Sequence, residues 1–254
     1  MKKLLLLICF VSICLFGCFS TEEDLNINSD GSGTYKNAVD LSGLFDMMQM
    51  MASMDTSASS ELKKISDKNM DSVISFKSFI DTVSSLSKDE KKLFEKATIQ
   101  VKMNQEEKIF KLTMNYPFNK MEDLQKLIEL QQSDKVPNPL KQSMGNEMPA
   151  TGDNGLPSID KIMKMTFKKG LIERKIDQQK LTDLKENEQF KDAGQVEEML
   201  EAITISSTYH LPKAAKNIRG ERLKLSDDKK TVMMNYNLLD LIKTPASLEF
   251  KVEY

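Results

Sequence analysis

Five methionines crowd one short stretch of the chain: Met47, Met48, Met50, Met51 and Met54. Thioethers are soft ligands that suit Cu(I), and a flexible methionine surface also accepts varied apolar partners. Against both, Leu44, Met47, Met48 and Met51 fall at i, i+3, i+4 and i+7, the stripe of a helix turned toward its own core. In a chain of 17 methionines, packing is the leading expectation, with an apolar ligand or copper as the sharper alternatives. His210 is the sole histidine. Alone it makes neither a metal site of the usual kind nor a Ser/His/Asp triad without a nucleophile motif. The sequence contains no Gly-Xaa-Ser-Xaa-Gly, His-Glu-Xaa-Xaa-His or glycine-rich phosphate loop. Two carboxylates suffice for glycoside hydrolysis, yet 38 acidic residues single out no pair, and Trp is absent as a stacking platform for sugars. Asp30-Gly31-Ser32-Gly33 lacks the later acidic ligands of an EF-hand and reads as a turn. No cofactor is expected.

The amino terminus carries a more specific chemistry. Lys2 and Lys3 precede an apolar run from Leu4 to Phe16 that is relieved only by Ser12. That length suits a signal-peptide core and falls short of the ~20 residues needed to span hydrocarbon as a helix. Leu15-Phe16-Gly17-Cys18 resembles the bacterial lipobox, although Phe16 is larger than the residue usual at its place. The resemblance implies cleavage after residue 17, acylation of the Cys18 thiol and a mature chain that starts at Cys18. Cys9 and Cys14 each follow a bulky isoleucine and fit less well. Several acyl chains on one cysteine anchor stably, because each buried methylene contributes about 0.8 kcal/mol. Just beyond, Glu22-Glu23-Asp24 resembles the short acidic signal that sends Bacteroidota lipoproteins to the outer face of the outer membrane. The alternative is a solvated acidic spacer. Residues 18–24 are expected to form a tether in either case.

Composition narrows the partners. The formal net charge is −2, and loss of Lys2 and Lys3 with the leader makes the remainder more acidic. Interspersed signs with a weak negative balance argue against nucleic acid and against an anionic membrane surface. With Cys18 acylated and Cys9 and Cys14 removed, no disulfide is possible, so the fold rests on packing alone. The expected partner is the lipid bilayer, through acylated Cys18, with an envelope protein or an apolar ligand as further possibilities.

Positioning falls to residues 25–254, expected as a single domain. Leu25–Asn28 and Thr34–Leu41 alternate around Ser29-Asp30-Gly31, the pattern of a hairpin. Apolar residues at helical spacing predict a helix within 61–86, through Val73, Phe76, Phe79, Ile80 and Val83. Ser87 and Glu90 form a capping box that opens a short helix to about Ala97. Strands follow at 98–103 and 109–114, then a helix capped by Asn119. Residues 133–157, with four prolines and three glycines, read as a low-order loop. Another hairpin turns at Lys169-Gly170, followed by helices near 178–187 and 194–202. Strands are expected at 203–209, 221–225, 231–236 and 247–254, with one helical turn at 238–242. The blocks 98–130 and 162–187 share a strand–strand–helix order that admits a diverged duplication.

This order predicts an α+β fold, antiparallel hairpins forming a sheet with helices packed on one face. The function expected is that of a bacterial envelope lipoprotein, lipid-anchored at the outer membrane on its periplasmic or surface-exposed face, with a non-catalytic binding or structural role. The alternatives are a carrier of an apolar ligand through the Met-rich helix 44–54, and an envelope hydrolase using paired carboxylates.

Overall fold

The structure, a computed structural model, describes residues 19–43, 69–133, 135–136, 161–186 and 193–254. The first hairpin is present as expected. β1 (Ser20–Ile27) and β2 (Gly33–Asp40) pair antiparallel, Ser20 opposite Asp40 and Ile27 opposite Gly33. Asp30 closes the turn: its Oδ1 accepts from Ser32 N at 2.9 Å and from Ser32 Oγ at 2.7 Å. Gly31 takes φ 89° there, a left-handed conformation that is inexpensive only without a Cβ. Alternation then sorts the side chains. Leu25, Ile27 and Tyr35 are buried, whereas Glu22, Asn26 and Lys36 are exposed.

The hairpin is the middle of a larger sheet. The other strands are β3 (Met70–Ser75), β4 (Thr98–Asn104), β5 (Ile109–Phe118), β6 (Met163–Lys168), β7 (Leu171–Ile176), β8 (Thr204–His210), β9 (Asn217–Arg219), β10 (Lys224–Leu225), β11 (Thr231–Asn237) and β12 (Phe250–Glu253). Eight strands form one sheet in the order β10-β11-β8-β1-β2-β5-β4-β3, and four form a second in the order β6-β7-β12-β9. Among the described residues, β1 and β8 are the one parallel pair, with Ser20 opposite Thr204 and Asn26 opposite His210. Parallel neighbours require a crossover, and here most of the chain supplies it.

The two sheets face each other through their apolar rows. Tyr209 of the large sheet meets Phe250 of the small one at 5.6 Å between ring centroids, and Leu25, Ile172, Val232 and Val252 between them are fully buried. The six described α-helices are α1 (Phe76–Ile80), α2 (Lys88–Lys92), α3 (Met121–Gln132), α4 (Gln178–Glu186), α5 (Ala193–Ala202) and α6 (Leu238–Lys243). α3 buries Leu124, Leu127 and Ile128 and lies along the free edge of β6. There Phe167 N donates to Gln125 Oε1 at 2.6 Å, and Gln132 Nε2 donates to Met163 O at 3.0 Å. A sheet edge covered in this way cannot recruit another strand.

The architecture is α+β, as expected, with one difference: the expected single sheet is two facing sheets. Other expectations need correction. Residues 20–24 are not a tether but the first five residues of β1, because their amides are consumed on both sides by β2 and β8. The helix expected within 61–86 is, over the described residues, strand β3 followed by the short α1. Pairing of β3 with β4 overrides the helical spacing, and Val73 stays 66 % exposed. Asn119 is not the cap of α3; Lys120 stands at that position without a side-chain bond. The α2 capping box forms as expected, but the helix ends at Lys92. The strand expected at 221–225 shrinks to Lys224–Leu225, and β9 lies just before it. The end of the chain is a 3-10 turn, Pro245–Leu248, ahead of β12. No helix among the described residues is long and apolar enough to cross a membrane.

Candidate functional site

Alternation puts Ile172, Arg174 and Ile176 on the buried face of β7. Arg174 therefore enters the space between the sheets, where it is 1 % exposed. On its own sheet it is flanked across the strands by Met165 and Phe250. Facing it is one row of the large sheet, in which Ser207 lies opposite both Glu23 and Met234.

The guanidinium uses that row fully. Nη2 lies 3.2 Å from Glu23 Oε2, 3.2 Å from Ser207 Oγ and 3.1 Å from Tyr209 Oη. Ser207 Oγ donates in turn to Glu23 Oε2 at 2.8 Å. Nε and Nη1 approach the sulfurs of Met165 and Met234 at 3.4 and 3.6 Å. The rings of Phe250 and Tyr236 lie 5.1 and 5.4 Å from its central carbon, within reach of a cation–π attraction. Burial disfavours the charge on Arg174. Tyr209, Tyr236 and Glu23 around it outweigh that, so its pKa is raised and the cation is permanent. Burial also pushes the Tyr209 hydroxyl up to about 12, against the opposing pull of Arg174. The cluster ties β1 and β8 of one sheet to β7 of the other.

A second cluster lies on the opposite, outward face of the large sheet. His210 Nε2 is 3.3 Å from Asp24 Oδ2, and Thr231 Oγ1 is 3.4 Å from His210 Nδ1. The order carboxylate, imidazole, hydroxyl is one in which the carboxylate can orient the imidazole toward the hydroxyl. The His210 and Asp24 side chains are 42 % and 45 % exposed, so water competes for each bond on an open surface.

The third feature is a groove of about 870 Å³ between α2 and α3, lined by Ser87, Glu90, Phe118, Lys126, Leu130 and Lys135 among others. Lys135 Nζ donates to Glu90 Oε1 at 3.0 Å. Acidic and basic side chains nearly balance along the lining.

Sequence reasoning singled out Cys18 and the cluster Met47, Met48, Met50, Met51 and Met54; all lie outside the described residues. The structure separates the acidic triad. Glu23 turns inward onto Arg174, Asp24 turns outward onto His210, and Glu22 is exposed. Among the described residues no group of three or more His, Cys, Asp and Glu side chains is placed to hold a metal ion. Arg174 and its row were missed by reasoning from motifs. The available signal was alternation: Ile172 and Ile176 bracket an arginine on the apolar side of a strand, and Leu25 and Ile27 put Glu23 on the apolar side of another. No protein-family model, curated protein or solved structure matches this chain.

Proposed function

We propose that this chain is a lipid-anchored bacterial envelope protein, held through acylated Cys18, whose folded domain has a non-catalytic binding or structural role. The observation that carries this reading is Leu15-Phe16-Gly17-Cys18 at the end of a short apolar run that starts with two lysines. The fold is compatible with such an anchor, because β1 begins at Ser20, in the middle of the large sheet. A pull on the anchor is therefore borne by β2, by β8 and by the Glu23–Arg174 ion pair. In the folded domain Glu23 is committed to Arg174, while Glu22 and Asp24 stay on the outward face of the sheet.

Fatty-acid labelling of wild type and Cys18→Ser tests the anchor. Label in the wild type and none in the variant is the expected result; equal labelling of both refutes it. Protease shaving of intact cells then reports the face. Digestion in intact cells means surface display, and digestion only after lysis means a periplasmic face.

A further inference from the structure

We infer that the end of the large sheet where β1 starts is a membrane-contact surface, seated on the headgroup layer of the bilayer that holds the acyl chains. The inference rests on the reading that Cys18 is acylated.

One residue, Phe19, separates Cys18 from the first residue of β1. Consecutive Cα atoms are about 3.8 Å apart, so Ser20 Cα lies within about 7 Å of Cys18 Cα. A headgroup layer is roughly 5–8 Å thick on each side of the hydrocarbon. Acyl chains buried in hydrocarbon thus leave no room for a gap between the sheet and the headgroups. Nor can the chain lengthen by peeling β1 away. That would break two ladders and strip Glu23 from a buried arginine.

The strand register defines what else sits at that end. Thr204 N donates to Phe19 O at 2.9 Å, and Leu41 N donates to Phe110 O at 2.7 Å. The end of β2, the starts of β5 and β8, and the turn at 105–108 are therefore neighbours of the anchor. Leu41 and Ile203 there are partly buried apolar residues, suited to an interfacial position. The turn carries Glu106, Glu107 and Lys108, all exposed, so its charge is negative on balance. Attraction to anionic lipid is not what seats this end; the short covalent connection is. The outward face of the sheet is the competing contact. Its rows hold Glu22, Asp24, Lys36 and Asp40 beside Ser20, Ser206 and Thr208, which favours water over lipid. Standing on its end, the domain holds the hairpin turn at Ser29 about 24 Å farther from the bilayer, the rise of the eight-residue β1.

The test uses full-length, acylated protein in phospholipid vesicles. Cysteine is introduced by Gln105→Cys or, as a second variant, Glu106→Cys at the anchor end, and by Ser29→Cys at the far end. Each carries an environment-sensitive fluorophore, and the vesicles carry a quencher on the lipid headgroup. The expected result is several-fold stronger quenching at 105 and 106 than at 29, unchanged by the fraction of anionic lipid. Insertion of ten Gly and Ser residues between Cys18 and Phe19, a coil of roughly 18 Å reach, abolishes that difference while fatty-acid label is retained. Retained label with equal quenching at 105 and 29, or with none at 105, overturns the seating and leaves the anchor standing. Absence of label on the wild type overturns the anchor itself.

Discussion

Arg174 Nη2 sits 3.2 Å from Glu23 Oε2, joining positions 151 residues apart across the two sheets. The two partners are not equivalent. Arg174 is 1 % exposed, while the Glu23 side chain keeps 21 % of its surface in solvent. Removing the carboxylate strands a charge in the core, whereas removing the guanidinium leaves a carboxylate that can rehydrate.

Glu23→Leu is therefore expected to cost about 3 kcal/mol, near the lower end for breaking a buried pair. Arg174→Met costs less, about 1–2 kcal/mol, because no charge is left stranded in the core and the loss is confined to its bonds, those to Ser207 and Tyr209 among them. The double variant comes within about 1 kcal/mol of wild type, since apolar side chains of similar size replace a desolvated pair at little net cost. Urea unfolding of the four proteins closes the cycle. Additive losses in the double variant would show that the two residues do not act as a pair.

How far the fold was readable follows from the range over which each signal acts. The turn at Asp30-Gly31 and the capping box at Ser87 and Glu90 are local, and both are found where residue type places them. Pairing is not local. Nothing in Ser20–Asp24 announces that β8, some 180 residues later, will lie parallel to it, so an acidic stretch after a lipobox-like cysteine reads as a spacer. The same blindness explains 61–86. Val73 and Phe76 keep helical spacing, but β4 offers Met70–Ser75 a full set of backbone partners. At the site, alternation carries the direction of Glu23 and Arg174, a signal that reading for motifs passes over, while their meeting depends on how one sheet lies over the other.

Gln125 is a second place where one side chain does the work of a strand. Its Oε1 accepts from Phe167 N at 2.6 Å, and its Nε2 donates to Met165 O at 3.3 Å. Gln125→Leu keeps the helix propensity of α3 but leaves both backbone groups of β6 unpaired at a partly buried edge. The expected loss is about 1–3 kcal/mol, the cost of unsatisfied donors and acceptors. Gln125→Glu restores the acceptor but not the donor and recovers part of it. Amide exchange checks the mechanism: Phe167 N–H should lose protection in Gln125→Leu while Ile172 N–H on β7 stays protected. Equal loss at both would mean general destabilisation instead.

Glu90 makes a pH-dependent contribution whose sign is fixed by its partners. Its carboxylate accepts from Ser87 N at 2.7 Å and from Lys135 Nζ at 3.0 Å. These bonds, the backbone one foremost, hold its pKa down at about 2, below the ordinary glutamate value of 4.5. The folded pKa lies below the unfolded one, so the stabilisation is complete above about 4.5 and is lost as pH falls toward 2. Glu90→Gln keeps an oxygen for Ser87 N and loses the charge together with the acceptor for Lys135 Nζ, which separates this effect from loss of the cap. Wild type should unfold at higher urea than Glu90→Gln at pH 7, and the gap should close between pH 4.5 and 2. A gap that persists unchanged at pH 2.5 would show that Glu90 acts through shape and hydrogen bonding, with its charge contributing nothing.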